Sequence, residues 1–256
     1  MTRRCFGHIP DTDADVEEDL RDRHVGGLIG ASVSELPASV DYSAFLPSVP
    51  DQGGSSACVG FAFATAIYLR AKLAGHPIDR PSAKGIYDVA RLTDARNVLI
   101  DDGCRPRAAI DGLQTFGMVS ETRWPLTPTN VNDLPPLDVF QHGLGAMIAN
   151  YYRIGGGDVA TLVRSALAKG FLPFFAMPVD NAFVKMNGAG PYNNLTGPAL
   201  GSHAMCLVGY DADTFLIANS WSASWGAAGF ARITSAGLNT LARDVIVPTT
   251  SPLKVT

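Results

Sequence analysis

The sequence has little charge and no run of basic residues. Only 17% of its 256 residues are charged, and the formal net charge is −4. Proteins that bind nucleic acids concentrate Lys and Arg on one surface, so the composition argues against a nucleic-acid partner. No apolar run approaches the roughly 20 residues of a membrane-spanning helix, so we expect no membrane partner.

Cysteine is also scarce, with only Cys5, Cys58, Cys104 and Cys206 in the chain. None of them forms a CxxC pair or a zinc-ligand spacing, and the histidines show no ligand spacing. We therefore expect no metal and no other cofactor. No apolar signal segment is visible, so the default expectation is a cytoplasmic protein with reduced thiols; secretion by another route stays open.

Residues 1–25 are polar and acidic, and the stretch that follows them is rich in Gly, Ser and Ala. The stretch DTDADVEEDLRDRH, residues 11–24, predicts a solvated tail or a short surface helix. Cys5 and His8 are predicted at the surface. The following VGGLIGASVSE, residues 25–35, is predicted to be extended and is the stretch that we expect to be able to reach a cleft.

Helical patterns dominate the first half of the remaining chain and strand patterns the second half. Residues 55–74 are apolar nearly all round, which is typical of a buried helix. Helices are further predicted over 81–94, 107–117 and 158–170, strands over 171–179, 229–234 and 244–248, and a hairpin over 203–221. This order predicts an α+β fold of two packed halves.

One constellation of residues indicates nucleophilic chemistry. Cys58 stands at the start of the buried helix, where the helix dipole lowers the pKa of a thiol; for Cys58 alone, a small packed hydrophobic residue is the alternative. His203 opens a strand, and Asn219 ends the facing strand, where its oxygen could fix the histidine tautomer. The Gln52 amide and the Cys58 N–H could together form an oxyanion hole.

Three fragments resemble the papain family of cysteine peptidases: DQGGSSACVGFAFATA, HAMCLVGYD and NSWSASWGAAGFARI. Their order and spacing match the family over about residues 36–250. The resemblance implies that Gln52 supplies the oxyanion hole, that Cys58 is the nucleophile, that His203 is the acid and base and that Asn219 orients it. The implied activity is endopeptidase hydrolysis of protein or peptide substrates by a monomer.

The resemblance also implies a domain organisation. Residues 1–35 would be an N-terminal segment, either a short propeptide or a stretch that covers the cleft. Residues 36–256 would form the peptidase domain. Its helical lobe would span about 50–135 and its β-barrel lobe about 136–250, with the active-site cleft between them.

Substrate-binding residues follow from the same resemblance. Trp221 would shield the histidine–asparagine hydrogen bond from water. Asp244 would lie at the floor of the main specificity pocket and favour a basic substrate side chain there; the alternative is a surface carboxylate paired with Arg243 or Arg232. The complete set implied is Gly103, Cys104, Pro106, Ala204, Trp221 and Asp244.

The sequence departs from the family pattern at several positions. Ser55 stands where the family has a disulfide cysteine, which fits a reducing compartment, and Val59 stands where the family has tryptophan.

Two other functions stay open beside hydrolysis. One is a catalytically inactive binding module on the same fold, and the other is an acyl transferase that uses the same residues.

Overall fold

The computed structural model describes residues 4–29, 36–76, 78–97, 99–143 and 148–250. The helices are α1 (Asp13–Asp22), α2 (Gly26–Ile29), α3 (Cys58–Leu73), α4 (Ala83–Thr93), α5 (Pro106–Phe116), α6 (Leu137–Gly143), α7 (Val159–Ala168), α8 (Asn181–Val184) and α9 (Ser235–Leu241), with a short 3-10 helix at Ser43–Phe45. The strands are β1 (Val40–Asp41), β2 (Ile148–Ile154), β3 (Phe174–Val179), β4 (Gly201–Tyr210), β5 (Thr214–Ala218), β6 (Phe230–Thr234) and β7 (Arg243–Thr250).

Helix α3 is the central element of the molecule, because its apolar residues face both halves. Thirteen of its sixteen residues are buried. Ala66 and Leu69 belong to a core shared with the sheet. Phe63 belongs to a core shared with α4 and α5, and its ring stacks on Phe174 of β3 at 4.3 Å. Gly60 lets α4 approach closely, since a Cβ there would lie 2.2 Å from the Ala83 carbonyl oxygen.

Helices α4 and α5 begin differently. The Ser82 hydroxyl caps α4 by accepting a hydrogen bond from the Gly85 N–H. The N-cap residue of α5 is Arg105, whose side chain makes no capping bond to its own helix. The predicted helices over 55–74, 81–94, 107–117 and 158–170 are present as α3, α4, α5 and α7.

The strands form one antiparallel sheet in the order β2-β7-β3-β4-β5-β6, with β1 pairing β4. The predicted hairpin is confirmed as β4 and β5, which pair Cys206 with Ala218. The α+β class is therefore confirmed. The end strands β2 and β6 do not pair within the part of the chain that the structure describes, so closure into a barrel stays a prediction.

The N-terminal residues differ from the predicted solvated segment. Helix α1 forms, but Asp11 and Asp19 are buried, because both carboxylates form ion pairs with the Arg153 guanidinium. The prediction that His8 lies at the surface is wrong, since it is 5% exposed. Residues 26–29 form α2 instead of an extended stretch. The rest of the stretch predicted to be able to reach the cleft, residues 30–35, lies outside the described residues.

Candidate active site

Cys58 is the first residue of α3 and has no exposed surface. Burial raises the pKa of its thiol to about 11, although the backbone N–H groups of Ala204, Gly7 and Val59 bond the sulfur and lower the pKa in part. The expected lowering at a helix start is thus outweighed in this structure, because the sulfur is shut off from water.

His203 on β4 and Asn219 just after β5 are joined by a hydrogen bond of 2.7 Å between Nε2 and Oδ1. The same Oδ1 accepts the Ser220 N–H at 2.8 Å, which fixes the orientation of the amide. Because an amide oxygen only accepts, Nε2 carries the proton. Nδ1 is buried and has no hydrogen-bond partner among the described residues. Burial lowers the His203 pKa to about 4, more than the Asn219 bond raises it.

The Trp221 ring covers the histidine. The two rings stack with centroids 4.4 Å apart and planes 21° apart, and Trp221 is fully buried. Trp221 itself packs edge-on against Trp225 at 5.3 Å. Aromatic surface therefore keeps water from one face of the His203 imidazole.

Gln52 is held by the loop around it and by the strand end that carries Asn219. Its backbone N–H donates to the Ser220 carbonyl at 2.9 Å, and the Ser220 hydroxyl donates to Oε1 at 2.6 Å. Its Nε2 donates to the Ser55 carbonyl at 2.7 Å and to the Cys5 carbonyl at 3.3 Å. The side-chain amide of Gln52 thus donates to the backbone of the N-terminal residues.

Residues 4–9, here called the cleft segment, lie on these groups. The Cys104 N–H donates to the Gly7 carbonyl at 2.9 Å, and the Ile9 N–H donates to the Cys104 carbonyl at 3.1 Å. The packing leaves no room for a side chain, since a Cβ on Gly7 would lie 1.7 Å from the Ser56 carbonyl oxygen. A Cβ on Gly103 would likewise lie 2.2 Å from the Gly7 oxygen.

Two side chains of the cleft segment contact the aromatic cover. Phe6 meets His203 edge-on at 6.3 Å and Trp221 at 6.1 Å. The Arg4 guanidinium lies 5.1 Å from the centre of the Trp221 ring and donates to the Trp221 carbonyl at 3.3 Å. Cys5 lies between these two residues. The prediction that it is an exposed tail thiol is wrong, because Cys5 is only partly exposed and its backbone carbonyl accepts a hydrogen bond from Gln52.

His8 inserts its ring into a polar pocket. Its Nδ1 lies 2.7 Å from the Ser202 hydroxyl, and its Nε2 lies 2.9 Å from Asp244 Oδ2. Arg153 donates to the other oxygen of Asp244 at 2.8 Å. Burial by itself would raise the pKa of Asp244, but the His8 and Arg153 contacts outweigh it and hold that pKa below its ordinary value. The alternative of a surface Asp244 paired with Arg243 or Arg232 is wrong, since the side chain is 5% exposed and pairs with Arg153.

Ion pairs that sequence reasoning missed fix α1 beside this pocket. Asp19 accepts from Arg107 at 2.9 Å and from Arg153 at 2.9 Å. Asp15 accepts from Arg105 at 2.9 Å. The available signal was the spacing of four residues between the two carboxylates, which places them on one helix face. Nothing local names their partners, which lie about 90 to 135 residues away.

Part of the cleft region is open. A groove of about 390 Å³ lies beside Gln52, on a side that the cleft segment does not line. Its volume is in the range of small-ligand sites. The groove is lined by Asp51, Gln52, Gly53, Gly54, Ser55, Asp101, Leu126, Thr127, Pro128 and Val131.

Of the predicted substrate-binding residues, Pro106 is the first residue of α5. It follows shortly after Cys104, whose backbone bonds the cleft segment.

The described ranges contain no group of three or more His, Cys, Asp or Glu side chains arranged to hold a metal ion. Within the same ranges, no helix has the length and apolar character to cross a membrane.

A family model described as papain family cysteine protease matches residues 36–249. The solved structure of xylellain, a cysteine protease from Xylella fastidiosa, superposes with a TM-score of 0.80. The two chains are 26% identical, and the match covers 98% of this chain and 99% of that one.

Curated relatives are more distant. A cathepsin L-like proteinase from Fasciola hepatica is 24% identical over 209 residues, which are 77% of this chain and 60% of the proteinase. A cathepsin B-like protein, CP3, from Giardia intestinalis is 26% identical over 228 residues, which are 83% of this chain and 74% of that protein.

Proposed function

The chain belongs to the papain family of cysteine proteases, and from this premise we propose that it hydrolyses peptide bonds in protein or peptide substrates with Cys58 as the nucleophile. The observation that carries the proposal is the His203–Asn219 hydrogen bond of 2.7 Å, which leaves His203 Nδ1 unpartnered within the described residues. The N–H of the next residue, Ala204, bonds the Cys58 sulfur. A buried imidazole nitrogen without a partner among the described residues, on the residue before an N–H that reaches the thiol, fits the base of a nucleophile–base pair.

The reaction would proceed in two steps. Nδ1 of His203 takes the thiol proton, and the Cys58 sulfur attacks the scissile carbonyl carbon. The carbon–nitrogen bond breaks as Nδ1 returns the proton to the leaving amine, which leaves a thioester. Water then gives a proton to Nδ1 and attacks the thioester, which releases the acid and restores the thiol.

The oxyanion would be held by Gln52 Nε2 and the backbone N–H of Cys58. The carbonyl of Cys5, which accepts from Gln52 Nε2 at 3.3 Å, stands in for the substrate carbonyl. The Ser220 hydroxyl, at 2.6 Å from Gln52 Oε1, keeps the amide turned so that Nε2 faces the cleft. Removal of one such donor costs on the order of 10²- to 10³-fold in rate.

Substrate would bind where the cleft segment lies. Cys104 would pair with the substrate backbone as it pairs with Gly7 and Ile9, and Gly103 would allow that close approach. Asp244 would accept a hydrogen bond from a side chain in the pocket that His8 fills. Pro106, Ala204 and Trp221 would complete the walls. Endopeptidase action, which the family resemblance implies, is part of the same proposal.

The N-terminal segment, residues 1–35, would be the built-in inhibitor of this domain. Three observations support this: the Gly7 N–H bonds the nucleophilic sulfur, Phe6 contacts His203, and the Cys5 carbonyl takes the Gln52 donor. With the segment in place the thiol has a pKa of about 11 and the imidazole a pKa of about 4, so both are neutral at pH 7. The closed form would be inactive.

The test compares Cys58→Ala with Cys206→Ala, which removes a buried thiol of β4 away from the site. Both are made in the full chain and, because the segment covers the thiol, again with Gly7→Ala. In the Gly7→Ala background we expect Cys58→Ala, and not Cys206→Ala, to abolish hydrolysis of fluorogenic peptides and labelling by an epoxide inhibitor. Equal labelling of the two variants in that background would reject the proposal. Product masses that carry an added amine instead of water would assign acyl transfer.

A further inference from the structure

Helix α1 lies on three arginines of the peptidase domain, Arg105 and Arg107 at the start of α5 and Arg153 on β2, which we call the arginine seat. Asp19 bonds both Arg107 and Arg153, and Asp15 bonds Arg105. The seat adjoins the cleft, because Arg153 also bonds the carboxylate of Asp244 that His8 reaches.

The seat offers donors in excess of what the domain itself uses. Besides the guanidinium groups, the Tyr151 hydroxyl donates to Asp19 at 2.6 Å. The Arg107 backbone N–H donates to Asp11 at 2.9 Å. That N–H lies in the first turn of α5, which has no side-chain cap of its own. A carboxylate brought from another segment thus supplies the missing cap.

Carboxylates of the domain hold the seat in shape. Asp94 bonds Arg105 at 2.8 Å, Asp111 bonds Arg107 at 3.3 Å, and Asp244 bonds Arg153 at 2.8 Å. These bonds do not involve the N-terminal segment. Each guanidinium therefore keeps its orientation and a neutralising charge when α1 is absent, and its remaining N–H groups stay aimed outward, a preorganised arrangement that lowers the entropic cost of binding.

The bound carboxylates of α1 show which ligand fits. Asp15 and Asp19 stand four residues apart on one face of α1, and the seat binds a third carboxylate, that of Asp11, which lies just before the N-cap residue Thr12. Exposed Glu17 makes no contact with the seat that the structure records, whereas exposed Glu18 lies 3.9 Å from the Arg107 guanidinium. The ligand class is thus a peptide with spaced carboxylates.

We propose that the arginine seat recognises acidic segments of the enzyme's protein substrates once α1 has left it. This inference rests on the proposed function. Two features of a substrate would then determine how well it binds. One is the substrate side chain that lies beside Asp244, and the other is a set of substrate carboxylates that bind the arginine seat. Two or three such contacts at a partly exposed surface would favour acidic substrates about three- to tenfold.

The test measures binding, so that it does not depend on hydrolysis. The protein is the full chain with Cys58→Ala, Asp15→Asn and Asp19→Asn, which frees donors of Arg105 and Arg107. The probe is a fluorescent alanine-based peptide with three aspartates at intervals of four residues, and its control carries asparagines there. We expect the aspartate peptide to bind at least about threefold tighter at low salt, and the difference to shrink at 1 M salt.

Further substitutions assign the site. Arg105→Gln and Arg107→Gln are each expected to lower the affinity for the aspartate peptide severalfold. Arg123→Gln, which removes an arginine whose recorded partner is Asp138 at 3.7 Å, is expected to leave it unchanged. Equal binding of the aspartate and asparagine peptides would overturn the proposal, and so would an equal effect of Arg123→Gln.

A second variant guards against poor folding of the first. Cys58→Ala with Asp15→Asn alone frees only Arg105, whose pair with Asp15 is partly exposed. In this variant, the proposal predicts that Arg105→Gln lowers the affinity for the aspartate peptide, and an unchanged affinity would overturn it. A chain that binds a labelled copy of residues 11–22 but not the alanine-based peptide would assign the seat to the chain's own segment and overturn the inference. Intact peptide binding here, together with no hydrolysis by the Gly7→Ala chain that retains Cys58, would reject the proposed function alone.

Discussion

The N-terminal residues attach to the peptidase domain in two different ways. The cleft segment is attached mainly by backbone hydrogen bonds and ring contacts, as at Gly7 and Phe6. Helix α1 is attached through carboxylates on the arginine seat. Backbone contacts of the first kind depend on shape and fail abruptly when a methyl group is added. Charged contacts of the second kind weaken gradually with substitution and salt.

The two attachments meet at Asp244. One of its oxygens bonds His8 of the cleft segment and the other bonds Arg153 of the seat. We therefore expect close packing to set the position of the cleft segment over Cys58, and charges farther away to set how strongly the segment is held. Four predictions separate the two contributions.

The largest effect is expected for Gly7→Ala. The new methyl group would meet the Ser56 carbonyl oxygen at 1.7 Å, and backbone cannot move aside as a side chain can. The segment must therefore lift from the sulfur, and the Cys58 pKa should fall from about 11 toward its ordinary value of 9. Two pH units correspond to about 100-fold more thiolate at pH 7, so iodoacetamide should label Cys58 about 100-fold faster.

Mass mapping of the labelled peptide distinguishes Cys58 from the other thiols in this experiment. Gly157→Ala is the matched control, because a Cβ at that glycine meets nothing within 4 Å. If Gly7→Ala and Gly157→Ala label at the same rate, the cleft segment does not protect the Cys58 thiol.

A smaller effect is expected for Asp19→Asn at the arginine seat. The buried carboxylate bonds Arg107, Arg153 and Tyr151, but Asp11 and Asp244 still neutralise Arg153. A loss of about 2 kcal/mol is therefore expected, or roughly 30-fold faster hydrogen exchange of the α1 amides. Glu17→Gln on the exposed face should leave exchange unchanged. Similar exchange in both variants would contradict the seat's part in holding α1.

The pH dependence of the closed form follows from the Cys58 thiol. Its pKa is raised from 9 to about 11 by burial, so closure disfavours the thiolate. The contribution of the neutral thiol to closure is complete below pH 9 and is lost as the pH rises through 11. Opening should increase up to about tenfold per pH unit in this window, measured as protease nicking of the segment. The same rise in Cys58→Ala would show that another group titrates.

The smallest effect is expected for Asp15→Asn. The pair with Arg105 is about one quarter exposed on each side and should contribute less than about 1 kcal/mol, or about threefold in α1 exchange. The difference should vanish in 1 M salt. The Thr12 hydroxyl chiefly holds the Asp15 pKa below 3.8, so the contribution is present above that pH and is lost as the pH falls through the lowered pKa. A salt-insensitive effect would point to helix capping instead.

Local pattern was enough to predict much of the fold. The all-round apolar pattern predicted α3, and alternating runs around a turn predicted the β4–β5 hairpin. The hairpin brings His203 and Asn219 together because sixteen residues and one turn separate them. The role of these residues came from the family resemblance and stays a proposal.

The seating of the N-terminal residues could not be predicted from pattern. His8 meets Asp244 across 236 residues, and Arg153 meets Asp11 across 142 residues. The spacing of acidic residues along a helix is the same whether their carboxylates are solvated by water or paired with arginines. The pKa of the Cys58 thiol was misjudged for a similar reason: its place at a helix start is a local property, whereas the burial that raises the pKa depends on how distant parts of the chain pack around the sulfur.

If release of the N-terminal segment activates the enzyme, as proposed, the cap that Asp11 provides to α5 would link activation to the lifetime of the enzyme. When Asp11 departs, the Arg107 N–H in the first turn of α5 loses its carboxylate partner, a loss of about 1 kcal/mol for a helix cap. That turn begins two residues after Cys104, so the wall of the working cleft would fray first. The enzyme without the bound segment would then be both the active form and the form that unfolds faster at the cleft. A carboxylate of an acidic substrate on the arginine seat would restore the cap.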